Sequence, residues 1–289
     1  MEKNKKLRRQ KTVRFFGDFY AVLMYAVFYI PVAVMIVFSF NDAPRNYYWQ
    51  GFTTGWYAKL FSFANTSLIS ALWYSLVIAI LATVISVVIG VLGGIGLRKF
   101  KFVGKQFINM NIYVPIIVPE IVLAVAMLII FMTLGVKLGM GTILIGHCTF
   151  CIPYAVVTIK GRISGDNETL QEASMDLGAN RLQTFFRITI PSIMPGILSA
   201  AFLSFTLSID DVVMSNMLAG ARQSTLPVLI LSMNRTGITP DTNALTTVMI
   251  AVMVLGLLCV NAVQKHRQKK EAAAIAESEA AISAARSNV

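Results

Sequence analysis

The chain has 289 residues, 56% of them hydrophobic and only 13% charged, with a mean hydropathy of +0.69 and a formal net charge of +11. Soluble domains average about 45–50% apolar and about 25% charged residues, so a single globular core cannot absorb this much apolar surface, and disorder is excluded on the same figures. Three cysteines rule out a disulfide scaffold, which leaves a polytopic membrane protein with its positive charge between the spans.

A bilayer crossing needs about 20 apolar residues. Six stretches qualify in chain order: 19–40, 72–97, 112–134, 142–159, 197–217 and 245–263. In hydrocarbon each segment must satisfy its own backbone polar groups, so all six are expected to be helices. Runs such as SLVIAILATVISVVIGVLGGIGL do not alternate, which argues against a transmembrane β-barrel. The predicted fold is all-α: a basic N-terminus (1–18), a six-helix membrane domain (19–263) and a polar, alanine-rich tail (264–289).

Charge then orients the chain. Twenty of the 25 Lys and Arg fall in the N-terminus, the second and fourth connections and the tail. The other five, Arg45, Lys59, Lys137, Arg222 and Arg235, fall on the opposite side. Positive charge accumulates in the cytoplasm, so both termini are predicted to lie there. The stretch 19–40 is about twice as long as a signal-peptide apolar region, and no small-residue cleavage site follows it, so it is expected to stay as the first helix. The basic runs flank spans and need no nucleic acid to explain them.

Some local patterns carry little chemistry. Gly90 and Gly94 form a G-x-x-x-G pair that lets helices approach closely, within this chain or against a partner span. The aromatic stretch from Tyr47 to Phe52, with Trp56 and Tyr57, fits an interfacial belt better than a cation cage. His147-Cys148-Thr149-Phe150-Cys151 has metal-like spacing but lies in an apolar span without a second ligand pair, so no metal or other cofactor is expected. The two histidines, His147 and His266, assemble no nucleophile–base pair, and no catalytic residues are assigned. A P-loop is missing too: Gly104-Lys105 has Lys99 in place of the first glycine and Gln106 after the lysine. An intramembrane enzyme is improbable on these grounds.

The fourth connection, 160–195, is long for a structureless loop. Asp166 can cap a helix that runs to Leu177 and stops at Gly178. Glu168, Glu172 and Asp176 recur every fourth residue as one acidic stripe, beside an apolar face of Leu170, Ala173 and Leu177. A second short helix, 181–188, is expected to end at Ile190-Pro191. The sequence Glu172-Ala173-Ser174, then Gly178, then Ile188-Thr189-Ile190-Pro191 resembles the EAA loop of binding-protein-dependent ABC importers, with Ser174 for the second alanine and Ile190 for a leucine. In that family the loop is a coupling helix docked on a cytoplasmic ATPase. The resemblance assigns this role to Glu172, Ala173 and Gly178, with Glu168 and Asp176 beside them. It also implies a second homologous permease subunit, an ATPase dimer, an external binding protein and a bacterial cytoplasmic-membrane location.

Three acids, Glu120, Asp210 and Asp211, fall within predicted spans. An acid at a helix centre costs about 2.5–3.5 kcal/mol, so each should face a partner or a wet cavity. On continuous helices Glu120 sits about 12 Å and Asp210 about 20 Å from the inner end, and Asp210 and Asp211 point about 100° apart. Ser204 and Ser208 fall below Asp211, roughly on its face. Pro115 and Pro119 free backbone carbonyls next to Glu120, as at the broken helices of transporters. No Lys or Arg lies in any span, which argues against purely structural pairing of the acids. The wording VPIIVPEIVLAVAML and FTLSIDDVVMSNML resembles the PotC-type spermidine/putrescine permeases. That resemblance implies polyamine import along a path through Glu120, Asp210 and Asp211, with Ser204 and Ser208 contributing. The charge pattern also suits another cationic solute, or an ion-coupled secondary transporter with the acids as proton or sodium sites.

Overall fold

The computed structural model describes residues 2–45, 47–62, 66–163, 166–220, 224–234 and 239–256, together with 258, 262 and 265; the side chains of 2–13, 15, 66, 166–168 and 234 lie outside it. Arg222, Arg235, the caps and charges expected at Asp166 and Glu168, and the tail from 266 onward therefore fall outside the described residues. In chain order the helices are α1 (Glu2–Phe38), α2 (Gly55–Phe61), α3 (Thr66–Lys99), α4 (Lys105–Ile117), α5 (Glu120–Thr133) and α6 (Met140–Arg162). They continue as α7 (Asp166–Asp176), α8 (Arg181–Thr184), a π-helical turn (Phe185–Thr189), α9 (Ile190–Ile209), α10 (Val213–Leu218), α11 (Leu226–Asn234) and α12 (Pro240–Gly256). The chain divides into two compact units: Asn65–Thr236, and Met1–Ala64 with Gly237–Val289.

Among the described residues four helices are long and apolar enough to cross a bilayer, Phe16–Phe38, Ser67–Lys99, Met140–Arg162 and Arg181–Ile209. α4 and α5 add a fifth crossing as a pair bent by 107°. α12 is apolar but shorter, and the end expected for the sixth span lies largely outside the described residues. Two of the six continuous helices expected from the sequence are thus broken. The span 112–134 is two helices, and 197–217 stops at Ile209 and restarts at Val213.

A third difference lies at Ile190-Pro191, where a stop was expected and the helix instead runs on. Pro191 has no N–H to donate, and its ring would clash with a carbonyl four residues back. The π-helical turn shifts the bonding register, so that the Ile190 N–H reaches back five residues to the Phe185 carbonyl. Pro191 then occupies the first turn of α9, where a missing donor costs nothing.

The larger unit is built around α3, α6 and α9. Val91, Ala155, Ile159, Ile193 and Ala200 form one buried cluster along their crossings. Gly90 and Gly94 make the close approach. A Cβ on Gly90 would lie 2.8 Å from the Ala155 Cβ and 3.1 Å from its carbonyl carbon, and one on Gly94 would lie 3.3 Å from the Lys160 nitrogen. The G-x-x-x-G pair therefore packs within this chain, against α6. Gly90→Val is expected to destabilise the unit by about 1–3 kcal/mol through overpacking, whereas Gly96→Val, which meets nothing within 4 Å, should be neutral. Thermal melting of the purified complex carrying each variant measures the difference.

In the smaller unit the segment after α1 is cross-braced. Asn41 is fully buried; its side chain donates to the Tyr48 carbonyl and accepts from the Gln50 N–H, both at 2.8 Å, and its own carbonyl accepts from Trp56 Nε1 at 2.8 Å. Phe40 stacks on Phe52 with centroids 5.3 Å apart, and Ser39 Oγ shares a hydrogen bond with the Tyr57 hydroxyl at 2.6 Å. The Trp56 face is taken by Lys59, whose Nζ lies 4.5 Å from the ring centroid. Trp56 and Tyr57 thus tie the segment together, while Tyr47, Tyr48 and Trp49 stay exposed.

Candidate functional site

Both helix breaks in the larger unit have local causes. Pro119 disfavours helical dihedrals at the residue before it, and Val118 is extended (φ −70°, ψ 133°), as is the ψ of 132° at Pro119. The Val118 N–H closes α4 on the Val114 carbonyl, and the Pro119 carbonyl receives the first donors of α5. Glu120 becomes the first residue of α5 rather than a mid-helix acid. There its carboxylate complements the free N–H groups of the helix start.

At the second break, α9 ends on Ile209 and the Asp pair turns the chain. Asp210 sits at the C-terminal cap (φ −96°, ψ −2°). Asp211 accepts from the N–H groups of Met214 (3.3 Å, Oδ1) and Ser215 (2.8 Å, Oδ2), and so restarts the helix as α10. The two acids consequently do not share a helix, and the 100° separation expected for them does not apply. What separates them is burial: Asp211 is 6% exposed, and Asp210 is exposed.

The partner that buries Asp211 is His147. From sequence this residue was weighed only as part of a metal-like Cys pattern, and only Lys and Arg were counted as bases in the spans; a histidine in the fourth span is also a base. Its Nε2 lies 3.1 Å from Asp211 Oδ2 and 3.1 Å from Ser215 Oγ, and its Nδ1 lies 2.6 Å from Ser208 Oγ. Ser208 is therefore turned to His147 and not toward a solvent path. Ser204 is fully buried against α6, where its carbonyl faces Cys151 Sγ at 3.5 Å. Neither serine lines the cavity described next. The Ser208–Asp211–Ser215 spacing in LSIDDVVMSN was the available signal for a histidine partner, since all three hydroxyl or carboxyl groups flank one break.

Glu120, Asp210 and Asp211 do come together. They line one open cavity of about 500 Å³ whose walls include Pro115, Phe150, Tyr154 and Val213. The carboxyl groups of Glu120 and Asp211 meet within hydrogen-bonding reach, with Asp210 close by. Among the described residues no group of three or more His, Cys, Asp or Glu has metal-holding geometry. The cavity thus presents carboxylates and two aromatic rings, a set suited to a hydrated or organic cation.

The connection between α6 and α9 forms a second candidate surface. α7 ends in a Schellman arrangement: Gly178 (φ +89°) donates to the Met175 carbonyl at 2.9 Å and Ala179 to the Ser174 carbonyl at 3.1 Å. The inward face of α7 is polar. Gln171 is buried and accepts from Lys99 Nζ at 2.9 Å, and Ser174 Oγ bonds Thr184 Oγ1 at 2.8 Å. Leu170, Ala173 and Leu177, the apolar face read from the sequence, point outward with Glu172 and Asp176, and Leu177 is 90% exposed. Leu182 and Phe186 are exposed as well.

Residues 86–271 match the family described as binding-protein-dependent transport system inner membrane component. The spermidine/putrescine transport system permease protein PotC of Escherichia coli (strain K12) is 37% identical over 246 residues, covering 85% of this chain and 92% of that protein. The PotC of Haemophilus influenzae is 38% identical over 247 residues, covering 86% and 95%. The putrescine permease PotI of Escherichia coli (strain K12) is 34% identical over 245 residues, covering 82% and 86%. Among solved structures, an inward-facing form of the MetNI methionine ABC transporter superposes with a TM-score of 0.53 at 16% identity, covering 69% of this chain and 94% of that one, a likeness of fold. The chain belongs to the family of inner-membrane components of binding-protein-dependent transport systems, and it is a membrane-spanning permease subunit of an ABC importer.

Proposed function

We propose that this permease carries polyamines of the spermidine/putrescine class inward, with the cavity at the two helix breaks as part of their path. The observation that carries the reading is the lining of that cavity by Glu120, Asp210 and Asp211 beside Phe150 and Tyr154. An extended polycation needs several anionic groups in a space that excludes most water, and ring faces add attraction for its methylene-flanked ammonium groups. The names of the relatives, spermidine/putrescine and putrescine permeases, point to the same substrate. Membership in an ATP-driven family removes the ion-gradient alternative. A permease for another cationic solute is the remaining rival.

In this reading both termini and the α7–α8 connection are cytoplasmic, in a bacterial inner membrane. The outward-facing Leu177, Leu182 and Phe186, with the acids Glu172 and Asp176, fit a groove of an ATPase dimer that hydrolyses ATP for the complex. Glu168 belongs to the same stripe by spacing. A second, homologous permease completes the path, and an external binding protein delivers substrate. ATP-driven movement of α7 is passed through the continuous α8–α9 rod to the break at Asp210, and the spans alternate between outward and inward openings. The deciding experiment is uptake of labelled spermidine and putrescine by membranes with and without this chain, competed by other organic cations and by magnesium. Loss of polyamine uptake without the chain is the expected result. Competition by a non-polyamine cation at lower concentration than spermidine would favour the rival.

A further inference from the structure

The cavity reading uses the carboxylates and leaves a buried base unexplained. His147 is 1% exposed, and both ring nitrogens are engaged, with Ser208 at the end of α9, and with Asp211 and Ser215 at the break and in α10. Its ring also lies 5.5 Å from that of Phe150, a cavity wall. One side chain of α6 thus holds all three parts of the α9–α10 corner. Facing the Asp211 carboxylate, Nε2 carries the proton and donates, which leaves Nδ1 to accept from the Ser208 hydroxyl.

The same contacts divide the labour between adjacent acids. Asp211 gives one oxygen to the Met214 N–H and the other to the Ser215 N–H and His147 Nε2, and the Glu120 carboxyl reaches it from the cavity side. It cannot turn to a passing cation without breaking the start of α10. Asp210 carries no such brace and is exposed. We propose that His147 is a positioning residue of the transport path: it pins Asp211 and the α9–α10 corner, so that Asp210 and Glu120 supply the carboxylates a substrate meets. This rests on the cavity being the path.

The test uses the assembled importer in membranes, with spermidine and putrescine as probes and uptake normalised to permease that co-purifies with ATPase. His147→Leu fills the space but offers no polar atom, leaving Asp211 short of a partner, and should lower maximal uptake at least about tenfold. His147→Gln, which keeps a donor for Asp211, should recover uptake to within about threefold of the parent. Adding Asp211→Asn to His147→Leu should cost clearly less than it does in the parent, because the contact with His147 is already gone and only a bond to the start of α10 remains to lose, while adding Asp210→Asn should multiply the loss and raise KM. The proposal is overturned if Asp211→Asn keeps its full effect in the His147→Leu background, or if Gln is no better than Leu. Where His147→Leu reduces the amount of complex, the same cycle read from thermal melting of the purified complex, with His147→Gln in its place, decides the pairing. Unchanged uptake in Asp210→Asn and Glu120→Gln would instead overturn the cavity reading, and the melting cycle would still report on His147 and Asp211.

Discussion

Glu120→Gln combined with Asp210→Asn is expected to lower spermidine uptake by about a hundredfold while the permease stays in the membrane with its ATPase. Both residues line the cavity and both are exposed to it. A unit charge pair at 4 Å contributes about 4 kcal/mol at an effective dielectric constant near 20. Residual hydration and the remaining carboxylate reduce the loss, so about 3 kcal/mol for two removed charges is a moderate figure, and each 1.4 kcal/mol is a factor of about ten. Folding is spared because the amides match the carboxyls in shape: Glu120 at the start of α5 loses a helix-dipole term of about 0.3–1 kcal/mol, and the Gln amide can still donate to Asp211. The loss should be greater for spermidine than for putrescine, since the longer cation brings more positive groups. Equal uptake by the double variant and the parent, at equal amounts in the membrane, would remove these residues from the path.

The second large effect belongs to Gly178. Its φ of +89° closes α7, and a Cβ there would meet nothing within 4 Å, so any penalty comes from backbone conformation and not from crowding. A left-handed residue with a Cβ costs about 1–2 kcal/mol, and a β-branched one more. Asparagine tolerates the conformation best. Uptake should therefore fall in the order Gly178→Asn, Gly178→Ala, Gly178→Val, with the valine variant at least about tenfold below the parent. ATP hydrolysis should become insensitive to substrate-loaded binding protein in the same order, because the exposed Leu177 beside the turn would be displaced from the docking position proposed for it. Equal coupling in all three variants would show that the turn geometry does not matter to the ATPase contact.

How much was legible beforehand depends on whether a feature is set by local chemistry. The C-terminal end of α7 could be read from Gly178, because tolerance of positive φ is a property of the residue itself. The break before Glu120 was signalled by Pro115 and Pro119, although its 107° bend was not. The continuation of α8 into α9 was misread, since Pro191 ordinarily ends a helix and only the shifted register of the π-helical turn lets the chain pass. The inward face of α7 was not legible. Gln171 and Ser174 look like surface residues until Lys99 and Thr184 are brought to them from elsewhere in the chain.

The sequence by itself determined the membrane class, the place of the long apolar helices, the family through the spacing around Glu172 and Gly178, and the presence of Glu120, Asp210 and Asp211 in apolar segments. Composition, periodicity and turn chemistry act over a few residues, so they survive without coordinates. Only the tertiary structure decided which acid is exposed to the cavity and which is pinned. Asp210 and Asp211 are chemically identical neighbours, and the difference between them is a histidine more than sixty residues away that packing brings within 3.1 Å of one and not the other.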